Sequence, residues 1–442
     1  MKSPRQIAFE ALLKIHKEGA YSNLVLDNVF KDNPDLDERD RAFISNLVYG
    51  SLDRMIIIDY NLSLYLNQPS KKLKPELHTV LVLGAYQILF MDKVPDHAAV
   101  SESVQLAKVN KSSFAASLVN AVLRRVADNG LKFPEEVKDS AEYLSVRYSC
   151  PQWLTELWID SYGYENAEKL SEYALDAPPV FIRINNLKTN PEDLMWKLAE
   201  SGIVAQEVEG IDGAMSLSKA GAIDTIDAYK EGLFHVQDIS SQFCCKALDP
   251  KETDVVFDMC AAPGGKSFTI AEMMNGNGRV KSFDIYQSRV DLIKEGAERL
   301  GLTNLSTYFS DATFYNDNYG LADKILCDVP CSGLGIIRRK PEIRFKNKPE
   351  IDKLPEIQYA ILCNAVKYLK PDGRIVYSTC TLNPAENEDV CNRFLAEHPD
   401  FVKADYLPEI ERYSPDDRFL TLMPHLHGTD GFFIAVFDRI QI

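Results

Sequence analysis

From the N-terminus to about residue 130, apolar residues recur at the three-and-four spacing of helices, with no alternating pattern among them. Ile7, Ala8, Ala11, Leu12 and Ile15 follow Ser3-Pro4, a serine that can cap a helix and a proline that fits its first turn. Phe114, Leu118, Val122 and Val126 repeat the spacing after an interruption at Lys111-Ser112-Ser113. The most apolar stretch, Leu77 to Met91, contains His78, Thr79, Tyr86 and Gln87 and is too short to span a bilayer, so it reads as a buried helix. From Tyr148 to about Asp238 short runs replace the long ones: a strand at Val180 to Ile184, a helix over Pro191 to Ser201 and a strand at Ile203 to Val208 suggest a small α/β subdomain. From Asp254 onward strands and helices alternate. Strands are expected at Asp254 to Asp258, Val280 to Asp284, Asp323 to Asp328, Arg374 to Ser378 and Phe432 to Phe437, with helices at Phe268 to Met274 and through Val290, Ile293, Ala297 and Leu300. Such alternation implies a parallel sheet with helices on both faces and ligands at the carboxyl ends of its strands.

At 442 residues the chain has room for about three domains of ordinary size, and its 45% hydrophobic and 26% charged residues suit a globular protein with buried cores. Met1 to Ile15 mixes Lys2, Arg5, Glu10 and Lys14 among its apolar residues, unlike a signal peptide, and the nine cysteines include no CxxC pair. A cytoplasmic protein with reduced thiols and no metal site is the expectation. The net charge of −16 excludes a protein that coats nucleic acid indiscriminately, yet a local basic surface remains open to it. One segment offers such a surface: Arg338, Arg339, Lys340, Arg344, Lys346, Lys348 and Lys353, against only Glu342, Glu350 and Asp352. It directly follows a motif with chemical character, which favours substrate contact over a solvated loop.

That motif is one of several at strand ends. Asp258-Met-Cys-Ala-Ala-Pro-Gly-Gly-Lys-Ser267 joins the first alternating strand to its helix, where glycines let backbone approach a ligand and the helix N-terminus offers N–H groups. Gly265-Lys266-Ser267 matches the end of a Walker A loop, but that loop needs a glycine where Cys260 stands, so a nucleotide triphosphatase is set aside. Asp284 ends the second strand, where a carboxylate can accept both hydroxyls of a ribose, and Asp311 follows the third. Single acids of this kind are ordinarily turn or cap residues; their repetition at successive strand ends points to a ligand. Cys331, in Asp328-Val-Pro-Cys331-Ser-Gly, and Cys380, in Ser378-Thr-Cys380-Thr, also fall at strand ends. Cys327, Cys363 and Cys391 fall inside a strand or helices and read as small buried hydrophobes.

With these motifs the region resembles the S-adenosylmethionine-dependent RNA cytosine-5 methyltransferases of the NOP2/NSUN family. The resemblance implies S-adenosyl-L-methionine as cofactor, its amino-acid end held by Cys260, Ala261, Ala262, Pro263, Gly264, Gly265 and Lys266, with Asp284 at the ribose and Asp311 near the adenine. Carbon 5 of cytosine is too weak a nucleophile to take a methyl group directly, and a thiolate adding at carbon 6 makes it enamine-like. DNA cytosine methyltransferases use the Pro-Cys thiol for this, whereas the RNA enzymes carry both motifs and use Thr-Cys. The resemblance therefore implies Cys380 as nucleophile and Cys331 as the thiol that assists product release, with Asp328 on the cytosine ring or in the cofactor pocket and Lys266 near the base. Asn383-Pro-Ala-Glu-Asn-Glu388 and Asp430-Gly-Phe-Phe433 are further landmarks of the family.

Asp40-Arg-Ala-Phe43, Val48-Tyr-Gly50 and Val119-Asn-Ala-Val-Leu-Arg-Arg125 resemble the NusB-type helical RNA-binding domain, with Arg124 and Arg125 as candidate phosphate contacts. Fused to this catalytic region, the domain makes the chain similar to the bacterial RsmB (Sun/Fmu) enzymes, which act on 16S ribosomal RNA. Tyr286-Gln287 and Ile239 depart from residues common in relatives, and the first pair bears on ribose contacts. The expected fold is multidomain: an all-α NusB-like domain at 1–130, a small α/β subdomain at 145–238 and a Rossmann-like α/β methyltransferase domain at 239–442. Two alternatives stand beside it: the same chemistry on tRNA or another ribosomal site, and a non-catalytic RNA-binding or assembly factor. The intact loop and both cysteines argue against the second.

Overall fold

The computed structural model describes residues 2–110, 113–135, 137, 140–346, 348–405 and 419–440, so Lys111 and Ser112 of the interruption noted above lie outside the described residues. The chain divides into two compact units, Met1–Ala177 with Ile337–Asn347, and Pro178–Ile336 with Lys348–Ile442.

The first unit is helical. Ser3 caps its opening helix, Pro4–Glu18, by accepting from the Gln6 N–H at 3.2 Å, and Gly19 closes it in a left-handed conformation. The helix Pro75–Phe90 buries every residue from Leu77 to Gln87. Its polar side chains are tolerated because each has a partner. His78 Nε2 lies 2.7 Å from Asp59 Oδ1, Thr79 Oγ1 donates to the Pro75 carbonyl at 2.8 Å, Tyr86 donates to Asn46 at 2.7 Å and Gln87 accepts from Arg5 at 2.8 Å. One expected stripe needs correction. Within the helix Ala116–Asn129 the buried residues are Val119, Val122, Leu123 and Val126, while Leu118 and, ahead of the helix, Phe114 are exposed. Phe114 sits in a separate 3-10 turn, Ser113–Ala115, so the helical register does not extend back to it. Three further helices, Ala141–Arg147, Gln152–Tyr162 and Tyr164–Tyr173, belong to the same unit.

Residues Ile337–Asn347, which carry much of the basic segment, also belong to this unit, and two of its arginines, Arg338 and Arg344, are turned inward. Arg344 is buried, donating from Nη1 to Asp53 Oδ1 at 2.9 Å and from Nη2 to the Ala174 carbonyl at 2.6 Å. Buried Arg338 stacks over the Tyr173 ring at 4.7 Å, and Glu342 accepts from Ser22 Oγ at 2.7 Å. A planar guanidinium with several donors is the cation best suited to such burial, so these two arginines hold the unit together and are not offered to a substrate. Lys348 pairs with Asp352 one helical turn on.

The second unit contains two sheets. The smaller comprises β1 (Val180–Ile184), β2 (Val204–Glu207), β3 (Ala214–Ser218) and β4 (Phe234–Val236) in the order β2-β3-β1-β4, all neighbours antiparallel. With the helix Pro191–Glu200 between β1 and β2 this is a split β-α-β arrangement, and Leu194 and Leu198 pack on Ile182, Ile184, Met215 and Phe234.

The larger sheet comprises β5 (Val255–Asp258), β6 (Arg279–Asp284), β7 (Leu305–Phe309), β8 (Ala322–Asp328), β9 (Leu369–Thr379), β10 (Phe401–Lys403), β11 (Leu420–Leu422) and β12 (Phe432–Arg439). Their order is β10-β12-β9-β8-β5-β6-β7, with β11 beside β12; β5 to β9 run parallel, and β12 returns antiparallel to β9. Alternate residues enter opposite cores, as the two-residue period of a strand requires. Val256, Leu326, Val376 and Ile434 face one helical layer with Phe243, Ile270 and Ile293, while Phe257, Ile325, Ile375 and Phe433 face the other with Leu362 and Phe394. Strand order reverses between β5 and β8, and the connections leaving their carboxyl ends diverge into a crevice. No described helix is long and apolar enough to cross a membrane.

Replacing Arg344 by alanine leaves Asp53 without its cation and the Ala174 carbonyl without its donor. The expected loss is about 3 kcal/mol, measurable by urea unfolding, and an unchanged midpoint would overturn this role.

Candidate active site

The loop after β5 is held by its neighbours before any ligand is considered. Met259 N–H donates to the Leu326 carbonyl at 2.9 Å and Ala261 N–H to the Phe283 carbonyl at 2.8 Å, so the loop is laced to the ends of β8 and β6. It turns through a cis Ala262–Pro263 peptide and through Gly264 at φ +111° into the helix Gly265–Met273. A Cβ at Gly264 would lie 2.3 Å from the Phe268 ring, so both conformation and space demand glycine. Cys260, Ala261, Ala262, Pro263, Gly264 and Gly265 thus form one continuous turn into a helix N-terminus, where unpaired N–H groups favour an anionic group. Asp284 and Asp311 follow on adjacent strands: Ser310 N–H donates to the Asp284 carbonyl at 3.0 Å. Each also holds its own turn through Oδ1, Asp284 accepting from Tyr286 N–H at 3.0 Å and Asp311 from Thr313 N–H at 2.9 Å. The departure at Tyr286 is accommodated by Arg289, whose guanidinium lies 5.0 Å from the Tyr286 ring centre.

Lys266, at the start of the helix, reaches β8, and its Nζ lies 2.8 Å from Asp328 Oδ2. The other oxygen of Asp328 accepts from Ser378 Oγ at 2.8 Å, and Ser378 in turn accepts from Cys244 Sγ at 3.2 Å. Burial alone would lower the Lys266 pKa, but the Asp328 carboxylate outweighs it and pushes the ammonium well above the usual lysine range. Lys266 is therefore a fixed positive charge, 5.1 Å from the centre of the Phe432 ring. Burial pushes the Cys244 thiol up to about 12, so it remains a neutral donor.

The two strand-end thiols meet. Cys331 Sγ and Cys380 Sγ are 3.3 Å apart, both partly exposed. Their loops are locked by backbone bonds from Val329 N–H to the Ser378 carbonyl at 3.1 Å and from Gly335 N–H to the Cys380 carbonyl at 3.0 Å. Gly335 then pairs with Gly431, whose N–H donates to its carbonyl at 2.9 Å; a Cβ at Gly335 would stand 2.0 Å from the Gly431 oxygen. The hydrogen bond to Cys380, followed by burial, pushes the Cys331 thiol well above its ordinary range. The two sulfurs are close enough to share one proton.

Family models match three stretches of the chain: 16S rRNA methyltransferase RsmB/F matches residues 245–438, the NusB family residues 2–128, and the RsmF/B-like ferredoxin-like domain residues 150–224. The chain is 41% identical to the probable ribosomal RNA small subunit methyltransferase B of Bacillus subtilis (strain 168), covering 98% of each. It is 36% identical to the protein of that name from Synechocystis sp. (strain ATCC 27184 / PCC 6803 / Kazusa), covering 98% of this chain and 99% of that one. The crystal structure of PH0851 matches with a TM-score of 0.85 at 25% identity, over 99% of each chain. The chain belongs to the RsmB/F family of 16S rRNA methyltransferases. With that family it is an S-adenosylmethionine-dependent RNA methyltransferase.

In this RsmB/F methyltransferase several polar groups surround the motifs that sequence reasoning passed over. Ser378 stands two positions before Cys380 and Glu386 lies within Asn383–Glu388, but only the fold shows what they touch. Among the described residues no group of three His, Cys, Asp or Glu side chains is placed to hold a metal. Asp258, which closes β5, is buried and accepts from Ser267 Oγ at 2.7 Å, while Ser282 Oγ donates to Ser267 at 2.7 Å. Burial pushes the Asp258 carboxyl up from 3.8 to about 7, against the opposing Ser267 hydrogen bond.

The folded chain therefore keeps a proton that the unfolded chain loses between about pH 4 and pH 7. This contribution to stability is complete below about pH 4 and is lost as pH rises through about 7. Asp258→Asn, which keeps an acceptor for Ser267, is expected to flatten the fall in unfolding free energy across that window, measured by urea titration at a series of pH values. A decline as steep as in the native chain would show that Asp258 is ionised in the fold.

Proposed function

We propose that the chain methylates carbon 5 of a cytidine in 16S ribosomal RNA, with Cys380 as covalent nucleophile and Cys331 assisting release. The observation that carries this reading is the 3.3 Å approach of two thiols at adjacent strand ends. The residues around them suit S-adenosyl-L-methionine: a helix N-terminus cradled by Gly264, where a side chain would not fit, and acids at the ends of β6 and β7. Cys260 to Lys266 would hold its amino-acid end, Asp284 its ribose hydroxyls, and Asp311 its base. When bound, it supplies an electrophilic methyl group.

The chain's own residues do the rest. The neighbouring Cys331 sulfur, 3.3 Å away, can hold the shared proton when Cys380 acts as thiolate. That thiolate adds to carbon 6 of the cytosine, and carbon 5 gains the electron density to accept a methyl group. The carbon 5 proton then passes to water at the partly exposed thiol edge, the carbon 5–carbon 6 double bond re-forms, and the carbon–sulfur bond breaks with its electron pair returning to Cys380; Cys331 is the group beside the departing sulfur. Lys266 and Asp328 present a fixed charge pair at the carboxyl ends of β5 and β8, for the polar edge of the cytosine or the wall of the cofactor pocket. RNA binding is assigned to the helical domain at 1–130, where Arg124 and Arg125 are exposed, and to the subdomain at 145–238; catalysis is assigned to 239–442. Such a reaction belongs in the cytoplasm, where thiols stay reduced and ribosomal RNA is made.

Cys380→Ala is expected to lower 5-methylcytidine formation by at least ~1000-fold, read by nucleoside mass spectrometry, while cofactor affinity stays unchanged. Cys331→Ala is expected to accumulate an SDS-resistant protein–RNA adduct. An adduct in Cys380→Ala and none in Cys331→Ala would reverse the two roles, and methylation elsewhere on the base would overturn the carbon 5 assignment.

A further inference from the structure

Glu386 follows Cys380 by six residues, carries no role in the reaction described above, and is wholly buried. A carboxylate in such a place needs donors, and this one collects four. It accepts from Ser332 N–H at 2.8 Å, from Ser332 Oγ, from Asn383 Nδ2 at 2.9 Å and from Gln358 Nε2 at 2.9 Å. Ser332 directly follows Cys331. Its hydroxyl lies 2.6 Å from Thr381 Oγ1, and Thr381 directly follows Cys380. Thr381 Oγ1 also accepts from Leu334 N–H at 3.3 Å, and Gln358 reaches back to the carbonyl of Pro330, the residue before Cys331, at 3.0 Å. Cys331 is thus gripped on both sides through groups that converge on one carboxylate, and the same carboxylate is linked through Ser332 to the loop of Cys380.

We propose that Glu386 is a positioning residue that sets the spacing of the two thiols and thereby governs how fast the covalent adduct is released. The inference rests on the roles given above to Cys380 and Cys331. Glu386 itself touches neither thiol by a hydrogen bond recorded among the described residues, and acts through Ser332 and Gln358. Glutamine at this position has nearly the same shape, but its amide nitrogen would face donors that now face an oxygen. The Ser332 side of the clamp then opens, Cys331 moves off Cys380, and release slows while attack by Cys380 continues.

Two readouts on the full-length protein test this. The first is the ratio of SDS-resistant adduct to methylated product in single-turnover reactions with 16S rRNA. Glu386→Gln is expected to raise it about tenfold, the effect of losing one strong hydrogen bond, with cofactor affinity unchanged. A purely structural loss would lower adduct and product together and leave the ratio where it was. The second uses no RNA: diamide oxidises two adjacent thiols to a disulfide, its N=N bond taking up their two protons and two electrons. The Cys331–Cys380 disulfide is expected to form about tenfold more slowly in Glu386→Gln. A native value for either readout overturns the proposal. If Glu386→Gln fails to fold, Ser332→Ala removes the hydroxyl link alone; it is expected to move both readouts in the same direction, and native values there also overturn the proposal. Failure of the catalytic reading is distinguishable, because Cys331→Ala would then accumulate no adduct, while the diamide rate would still report on Glu386.

Discussion

The parallel pairing of β8 with β9 places Asp328 opposite Ser378, and the chemistry of the catalytic domain depends on that register. Cys331 and Cys380 lie three and two residues beyond those positions, so the loops that carry them leave the sheet side by side. A slip of one residue would turn every side chain of a strand to the other face, burying Asp328 in a hydrophobic layer and separating the thiols. The register is well defended. Ile325, Leu326, Ile375 and Val376 are fully buried between two helical layers, and β12 flanks β9 on its other edge. Hydrophobic burial of this kind decides the alignment; the hydrogen bonds at the strand ends convert it into chemical geometry.

Around that alignment lies a connected polar network. Lys266 neutralises Asp328, Ser378 bridges Asp328 to Cys244, and Ser267 and Ser282 support Asp258. Where water is excluded, an unpaired polar group is costly and a fully paired one specifies a single arrangement. The close passage of Gly335 and Gly431 serves the same end, since it brings the C-terminal strand's entry against the loop of Cys331. The site is thus largely organised by protein groups, with the thiols left at its partly exposed edge.

The basic segment shows how charge read from sequence can mislead. Seven cations in a short stretch look like a surface for a polyanion. Arg338 and Arg344 instead turn inward, one over an aromatic ring and one onto a carboxylate and a carbonyl. A guanidinium can be buried when its donors are met, and a linear charge count does not register whether they are. The same blindness applies to Glu386, a residue of the Asn383–Glu388 landmark whose four donors no local pattern announces.

The sequence by itself determined the alternation of strands and helices, the turn at Cys260 to Lys266, the acids at strand ends and the two thiols that mark the family. Those features depend on local pattern: period, glycine where φ is positive, and chemistry at the residue after a strand. Only the tertiary structure decided which strand lies next to which, that β12 returns antiparallel, that the thiols stand 3.3 Å apart and that Glu386 receives four donors. Those facts join residues far apart in the chain, and they are set by which apolar faces bury one another, a quantity defined only once the sheet has formed.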